Sequence, residues 1–375
     1  MYKILITGAN GFIAKNLKIN LAERKNIQVI CFTRDHAVDQ LADLLQDVDI
    51  VFHLAGINRP KDPQEFVTGN ANLTQTLCEA LANIAAFGRK VPVVCTSSIQ
   101  AACDNPYGLS KRVAEDALFF LQRKHGVPVH VFRLPNVFGK WCKPNYNSAV
   151  ATFCHNIARD LPIHINDPDA SVTLVYVDDV INRFMQLLDG TDTTVDKNGF
   201  STVTPQYTST VGELARLILG FKDSRSTLMS ERVGSGLVRA LYATYVSYLP
   251  AGSFAYSVPQ HGDPRGVFVE MLKTPDCGQF SYFTAHPGIT RGGHYHHTKT
   301  EKFLVIKGQA RFKFRHIQTG EIHELVTRGD KAEIVETVPG WTHDVTNIGD
   351  DEMVVMLWAN EVFDRDRPDT FACEV

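Results

Sequence analysis

The first 190 residues alternate short apolar runs with longer segments whose apolar residues recur at helical spacing. The runs are rich in β-branched residues and predict strands at Lys3–Ile6, Val29–Phe32, Asp49–Leu54, Val91–Thr96 and Val129–Leu134. The segments between them predict helices at Phe12–Arg24, Asn70–Ala86 and Lys111–His125. This alternation predicts an α/β fold in which helices cover both faces of a doubly wound parallel sheet.

The pattern changes after residue 252, where short strands separated by Gly, Pro and Asp dominate. The predicted strands are Val267–Leu272, Gln279–Thr284, Lys302–Ile306, Ala310–His316, Ile322–Val326, Glu333–Val338 and Met353–Trp358. Their spacing predicts an all-β sandwich or barrel. A predicted helix at Leu237–Tyr248 precedes the linker Leu249–Gly252, so we expect two domains, 1–248 and 249–375.

Composition narrows the class of protein. Of the 375 residues, 44% are hydrophobic and 21% are charged, as in a globular chain with sizeable cores, and the eight cysteines form no C-x-x-C pair. A net charge of −3 is too close to neutral for a nucleic-acid-binding surface, and no apolar run is long enough to span a membrane. The N-terminus runs directly into a strand rather than a cleavable leader, so we expect a cytoplasmic enzyme or binding protein.

A glycine-rich turn follows the first strand and opens the first helix. Glycine permits a tight turn and lets a pyrophosphate approach the amides at the helix N-terminus, which predicts a dinucleotide site. Its residues are Gly8, Asn10, Gly11, Phe12 and Ile13. The second strand ends in Thr33 and Arg34, where sites for NAD usually carry an acid. These two residues suit a 2′-phosphate and favour NADPH, and the alternative that Arg34 is a solvated loop residue stays open.

Tyr107 and Lys111, four residues apart on a predicted helix, share a face. A nearby ammonium stabilises a phenolate and lowers the tyrosine pKa, which suits proton exchange with a carbonyl or an alcohol. Ser98, at the end of the neighbouring strand, can hydrogen-bond the same substrate oxygen. Together with the glycine-rich turn and Leu54-Ala55-Gly56, this set predicts an oxidoreductase site.

With these motifs, residues 1–245 resemble an extended short-chain dehydrogenase/reductase of the nucleotide-sugar type, which has a Rossmann-like fold. The resemblance implies that the nicotinamide carries the hydride and that Tyr107 is the acid/base. It implies that Lys111 lowers the tyrosine pKa and holds the nicotinamide ribose, and that Ser98 rather than Ser97 orients the substrate oxygen. The implied cofactor contacts also include Leu54, Ala55, Gly56, Tyr107 and Lys111.

The last third of the chain has a different chemistry. Residues 252–375 contain eight of the fourteen histidines and carry a net charge of −5, against +2 for the rest. His294 and His296, two apart on a strand, face the same side, and Glu301 begins the next strand. With His343 they form a set of imidazoles and a carboxylate that, inside a small barrel, predicts a divalent-metal site for zinc or iron.

Both spacings resemble the two motifs of cupins, which implies a jelly-roll barrel with His294, His296, Glu301 and His343 as metal ligands. Over nearly its whole length the chain resembles a bacterial family of bifunctional enzymes of capsular polysaccharide synthesis. That resemblance implies a homodimer on the route to UDP-N-acetyl-L-fucosamine. Its cupin domain would epimerise C3 of a UDP-2-acetamido-2,6-dideoxy-4-ketohexose, and its reductase domain would reduce the C4 ketone with NADPH.

Epimerisation requires a group that moves the C3 proton, and we assign this role to Lys302 and His297, with Tyr295 and Lys299 as further candidates. Three alternatives remain open. One is a reductase whose cupin only binds sugar and dimerises. The others are a nucleotide-sensing protein without turnover and a metal-dependent dioxygenase.

Overall fold

The computed structural model describes residues 1–62, 64–191, 194–259, 261–263, 266–268, 272, 278–361 and 366–375. These residues fall into two compact units. Unit 1 contains Met1–Val137 and Thr173–Thr208, and unit 2 contains Phe138–Val172 and Ser209–Val375. The predicted boundary between residues 248 and 249 lies inside unit 2, and we keep it as a proposal about the two functional regions.

Unit 1 is built on a parallel sheet. Its strands are β1 (Tyr2–Thr7), β2 (Ile27–Phe32), β3 (Ile50–His53), β4 (Val93–Ser98) and β5 (Val129–Leu134). In the described part of the chain they pair in the order β2-β1-β3-β4-β5, all in parallel. Ile4, Leu5 and Ile6 have no exposed surface, as expected for a strand covered on both faces. The strand order reverses between β1 and β3, and sheets of this kind bind ligands at the carboxyl ends of the strands there.

Three further strands form a separate sheet: β6 (Asn136–Phe138), β7 (Ser171–Tyr176) and β8 (Tyr207–Thr210). The helices of the described chain are, in order, α1 (Phe12–Ala22), α2 (Gln40–Leu44), α3 (Gln64–Phe66), α4 (Leu73–Ala86), α5 (Pro106–His125), α6 (Ala149–Ile157), α7 (Val177–Leu188), α8 (Val211–Thr227) and α9 (Gly236–Ser247). A π-helical segment, Val67–Asn72, leads into α4, and 3₁₀ turns lie at Ile99–Ala102 and Ala251–Ser253.

Helix α5 carries two of the predicted catalytic residues, and its ends follow from the local sequence. The Asn105 side chain accepts a hydrogen bond from the Gly108 N–H at 2.8 Å, and Pro106 occupies the first helical position. The helix ends at Gly126, whose φ of 66° is left-handed. Leu118 and Leu121 are buried in the core beneath the sheet.

Unit 2 contains the antiparallel strands. They are β9 (Ala255–Ser257), β10 (His261–Asp263), β11 (Gly266–Phe268), β12 (Gln279–Ala285), β13 (Thr290–Tyr295), β14 (Glu301–Lys307), β15 (Gln309–His316), β16 (Ile322–Arg328), β17 (Glu333–Glu336), β18 (Trp341–Asn347), β19 (Met353–Ala359) and β20 (Phe371–Ala372). Among the described residues, two larger sheets have the orders β12-β19-β14-β17-β9 and β16-β15-β18-β13-β20, and β10 pairs with β11. Along β15, Phe312 and Phe314 are buried and the alternating Arg311 and Lys313 are half-buried, as strand geometry requires.

The predicted fold class is confirmed: a Rossmann-like parallel α/β sheet is followed by an all-β region. The hydrophobic pattern misses β18, because Thr342, His343 and Asp344 interrupt its apolar residues. The predicted strand Val267–Leu272 begins in β11, and residues 269–271 lie outside the described residues. In the described part of the chain, no helix is long and apolar enough to cross a membrane.

Candidate active site and metal cluster

The glycine-rich turn lies against the end of β3. Gly8 has a φ of 65°, and a Cβ atom there would lie 2.6 Å from the Ala55 Cα, so only glycine fits. The Gly11 N–H donates to the Gly8 carbonyl at 2.8 Å, and Gly11 caps α1, which begins with Phe12 and Ile13. The structure therefore brings the turn and the Leu54-Ala55-Gly56 segment together, with Asn10 exposed beside them.

The predicted 2′-phosphate residues follow β2. The Thr33 hydroxyl donates to Asp35 Oδ2 at 3.1 Å, and the Thr33 N–H donates to His36 Nδ1 at 3.2 Å. Arg34 is exposed. The sequence assigns no role to Asp35, which places a carboxylate next to the two residues that are predicted to bind the 2′-phosphate.

Ser98 and Tyr107 come together at the end of β4. Their side chains are close enough for Ser98 to affect the pKa of Tyr107, and Tyr107 is half-buried. Burial raises the pKa of Tyr107, and Ser98 acts in the opposite direction. Ser97 is buried, and its hydroxyl donates to Glu115, which also binds the Arg133 guanidinium. Ser98 is thus the serine that contacts Tyr107, whereas Ser97 belongs to an internal network.

Lys111 lies beneath the same site. Its side chain is buried, and Nζ donates to the Thr96 carbonyl at 3.3 Å. A Cβ atom on Gly56 would lie 2.9 Å from Nζ, so glycine at this position leaves room for the ammonium. Burial lowers the pKa of Lys111. The pKa of Tyr107 is raised here, with burial and Ser98 as the causes of its shift, and a lowering of that pKa by Lys111 stays a prediction.

Two buried polar residues that the sequence reasoning missed support this region. Asn70, in the π-helical segment, donates to Ser110 Oγ and to the Ile57 carbonyl, both at 3.0 Å. His53 is hydrogen-bonded to Thr7 Oγ1 at 2.8 Å and to Thr74 Oγ1 at 2.9 Å. Burial lowers the pKa of His53 to about 3, and the charge of Lys111 adds to the effect. The sequence does contain a signal for His53, because this polar residue ends an otherwise apolar strand.

In unit 2, the four predicted metal ligands form one cluster. The donor atoms of His294, His296, Glu301 and His343 all lie within 4.8 Å of one another. Glu301 Oε2 is 3.1 Å from His296 Nε2 and 3.4 Å from His343 Nε2. Two ligands of a tetrahedral zinc ion with bonds of about 2.0–2.1 Å lie about 3.3 Å apart, so these distances fit the ion.

The electrostatics of the cluster also suit a cation. Burial and the neighbouring His343 and His296 lower the pKa of His294 to about 4, and burial lowers the pKa of His343. Burial by itself raises the pKa of Glu301, but the two buried imidazoles outweigh it and keep the pKa well below its ordinary value. Neutral imidazoles with an ionised carboxylate are the metal-ligating forms of these side chains. In addition, His343 Nδ1 is buried without a hydrogen-bond partner among the described residues.

The two predicted proton-transfer residues, His297 and Lys302, are not among the four clustered ligands. The His297 ring packs against Tyr295, with centroids 5.5 Å apart, and against Phe371, with centroids 4.9 Å apart. Lys302 follows Glu301 on β14 and therefore faces the opposite side of the strand. There it pairs with Glu336. The structure does not bring Lys302 to the metal cluster.

Lys302 belongs to a buried network of charged and aromatic side chains. Glu336 is the cross-strand partner of Lys302, and Arg225 Nη1 lies 3.0 Å from Glu336 Oε2. Lys302 Nζ donates to the Tyr256 hydroxyl at 3.1 Å, and Tyr242 donates to Glu336 at 3.4 Å. Burial tends to lower the pKa of Lys302, but the Glu336 carboxylate raises it well above its ordinary value. A lysine held in this way is a poor base.

Comparison with known proteins gives two family matches. Residues 4–200 match the NAD dependent epimerase/dehydratase family, and residues 261–371 match the polysaccharide biosynthesis C-terminal domain. A UDP-2-acetamido-2,6-beta-L-arabino-hexul-4-ose reductase of Pseudomonas aeruginosa strain PA103 is 63% identical over 374 residues, which cover 100% of this chain and 99% of the relative.

Solved structures of similar extent exist. The capsular polysaccharide assembling protein CapF from Staphylococcus aureus is 40% identical, with a TM-score of 0.65 and 100% of both chains covered. CapF with the inhibitor 3-isopropenyl-tropolone is 38% identical, with a TM-score of 0.63 and the same coverage.

Proposed function

Because this chain belongs to the NAD dependent epimerase/dehydratase family and is related to CapF over its full length, we propose that it is a bifunctional UDP-sugar enzyme. Its substrate is a UDP-2-acetamido-2,6-dideoxy-4-ketohexose, whose C3 it epimerises and whose C4 ketone it reduces. The observation that carries this proposal is the presence of two separate sets of chemical groups. Ser98, Tyr107 and Lys111 form one, and the histidine–glutamate cluster forms the other.

The reductase step uses the groups of unit 1. NADPH, when bound, supplies a hydride to C4. Tyr107 donates its proton to the C4 oxygen, and Ser98 orients that oxygen through a hydrogen bond. Lys111 holds the nicotinamide ribose, and its ammonium stabilises the phenolate that Tyr107 becomes. The turn from Gly8 to Ile13 binds the pyrophosphate, and Thr33 and Arg34 bind the 2′-phosphate.

The epimerase step uses the cupin region. A hydrogen on the carbon next to a ketone is acidic, because the resulting enolate spreads its charge onto oxygen. His294, His296, Glu301 and His343 hold zinc, which when bound polarises a ketone oxygen. His297 stays our candidate for moving the C3 proton. Lys299, whose Nζ lies 3.7 Å from Glu301 Oε1, offers a cation closer to the cluster than Lys302 does.

The order of the two steps follows from the chemistry. The C4 ketone that makes the C3 hydrogen acidic is also the group that the reductase consumes. Reduction removes that acidity, so hydride transfer fixes whichever configuration C3 then has. This dependence gives a reason for both activities to reside in one chain.

The relatives support the proposal at several levels. The 63% identical protein is named a reductase of a UDP-linked 4-ketohexose, and the C-terminal match is to a polysaccharide biosynthesis domain. CapF is named for capsular polysaccharide assembly, which supports a role in capsular precursor synthesis. We place that role on the UDP-N-acetyl-L-fucosamine route and propose that the chain is a homodimer.

The test is incubation of the full chain with the UDP-4-keto sugar in deuterated water, with and without NADPH, followed by NMR of the sugar protons. We expect deuterium at C3 in both samples, and a reduced sugar with consumption of NADPH in the second. Reduction without deuterium at C3 would support the second candidate, a reductase whose cupin only binds sugar and dimerises. The location of Lys302 away from the cluster is the observation that favours this second candidate.

A further inference from the structure

We infer that Asp369 is a positioning residue for the metal cluster and that the segment Asp369–Cys373, here called the C-terminal strap, holds His296 in its ligating geometry. The inference rests on the proposed zinc site. The strap lies about 70 residues beyond the first histidine motif, and neither cupin-like spacing includes it.

The first contact sets the protonation of a ligand. The main-chain carbonyl of Asp369 is 2.5 Å from His296 Nδ1. A carbonyl oxygen only accepts hydrogen bonds, so Nδ1 must carry the proton. In the neutral imidazole that ligates a metal, the lone pair of His296 is then on Nε2, the atom that faces Glu301 Oε2 at 3.1 Å. Outer hydrogen bonds of this kind fix both the tautomer and the orientation of a metal-ligating imidazole.

The second contact fixes the turn between His296 and Glu301. Asp369 Oδ1 accepts from the His297 N–H at 2.8 Å, and Oδ2 accepts from the N–H groups of Thr298 and Lys299, both at 2.7 Å. Oδ2 also accepts from the Thr298 hydroxyl at 2.9 Å. One half-buried carboxylate therefore binds three successive residues that connect two metal ligands.

The third contact extends along β13. Phe371 and Ala372 of β20 are the cross-strand partners of Tyr295 and His294, and the rings of Phe371 and Tyr295 stack with centroids 5.5 Å apart. The Cys373 N–H donates to the Gly293 carbonyl at 2.9 Å. The strap thus runs beside both histidines of the first motif, from Gly293 to Lys299.

These contacts predict that the strap acts on metal affinity. Loss of an outer partner of a metal ligand typically weakens metal binding about 10–100-fold. In Asp369→Asn, an amide replaces the carboxylate and leaves an NH₂ group facing at least one backbone N–H donor. We therefore expect the 297–299 turn to shift and the imidazole of His296 to lose its fixed orientation.

The experiment measures metal binding by the metal-free full chain, without substrate. Zinc affinity is obtained by competition with a chelating indicator, and the visible spectrum of the cobalt(II)-loaded protein reports ligand geometry. We expect Asp369→Asn to bind zinc about 10–100-fold more weakly than the wild type and to change the cobalt spectrum. The matched control is Asp350→Asn, which removes an exposed carboxylate from the β18–β19 turn and should leave both readouts unchanged.

A second variant distinguishes a loss of zinc affinity from a folding defect. Phe371→Leu keeps an apolar side chain and the strand pairing but removes the ring stacked on Tyr295, and we expect a smaller loss of zinc affinity. Equal zinc affinity and equal cobalt spectra for Asp369→Asn and the wild type would overturn the inference while leaving the zinc site intact. A wild-type chain that binds no zinc would overturn the zinc site and, with it, the role of the strap.

Discussion

Unit 1 and unit 2 each bury a lysine that the sequence assigns to catalysis, and the two lysines differ in what holds them. Lys111 donates to the main-chain carbonyl of Thr96, and burial lowers its pKa. Lys302 pairs with the Glu336 carboxylate, which raises its pKa despite burial. A buried ammonium matched by a buried carboxylate is part of the packing, whereas one held by a neutral carbonyl retains charge for a ligand. We therefore propose a chemical role for Lys111 and a structural role for Lys302.

The largest effect is expected at Lys111. Lys111→Met removes the cation that we propose stabilises the Tyr107 phenolate, so we expect turnover of the 4-keto sugar to fall by about 10²–10⁴-fold. The substitution also removes a desolvated charge. We therefore expect the free energy of unfolding of the variant to stay within about 1 kcal/mol of the wild-type value or to rise. Steady-state NADPH oxidation and urea unfolding check the two expectations. Lys124→Met, an exposed lysine on the same helix, is the control, and unchanged turnover in Lys111→Met would remove the assigned role.

For the Lys302–Glu336 pair, we expect a large change in the free energy of unfolding. Glu336→Gln leaves the Lys302 and Arg225 charges buried without their carboxylate, so we expect a loss of about 3–5 kcal/mol in the free energy of unfolding. Tryptophan fluorescence during urea unfolding is the measurement, because Trp141, Trp341 and Trp358 all lie in unit 2.

The control lies on the same strand. Glu333→Gln breaks only the ion pair with the exposed Lys331 and should cost less than about 1 kcal/mol. If Glu336→Gln were as stable as Glu333→Gln, Lys302 would not be held by a structural pair, and its role as a base would need to be considered again.

A third expectation concerns pH and unit 1. The pKa of His53 is lowered from 6.5 to about 3, so the unfolded chain binds a proton between these values and the folded chain does not. The stability due to neutral His53 is therefore fully present above pH 6.5 and is lost as the pH falls towards 3, by about 2 kcal/mol at pH 5. Hydrogen exchange of β1 and β3 at pH 7, 6 and 5 measures this change. We expect a flatter pH dependence in His53→Gln, and an equally steep one would assign the acid sensitivity to other groups.

The smallest effect is expected at the exposed end of the cofactor site. Arg34→Ala removes a charge assigned to the 2′-phosphate, and we expect the KM for NADPH to rise about tenfold with little change for NADH. Lys25→Ala, an exposed lysine before β2, is the control. An equal rise for both cofactors would contradict the phosphate assignment, and Asp35 would then have to be considered as a ribose ligand.

Features set by local sequence were predictable. Three of them depend on spacings of only a few residues: the turn at Gly8, the helix face shared by Tyr107 and Lys111, and the spacing of His294 and His296. The pairing of Lys302 with Glu336 and the contacts of Asp369 join residues 34 and about 70 positions apart, which only strand register and tertiary packing bring together. Adjacent residues on a strand face opposite sides of it. The sequence alone therefore indicates that Glu301 and Lys302 cannot serve one site.

The central claim is that two separate sites act on one ketone, and Tyr107→Phe tests it most directly. The variant keeps the ring of Tyr107 and loses only the hydroxyl that we propose gives its proton to the C4 oxygen. In deuterated water with NADPH and the UDP-4-keto sugar, we expect deuterium to enter C3 at the wild-type rate while NADPH oxidation is abolished. Loss of both signals in a folded Tyr107→Phe protein that still binds zinc would contradict the division of the two steps.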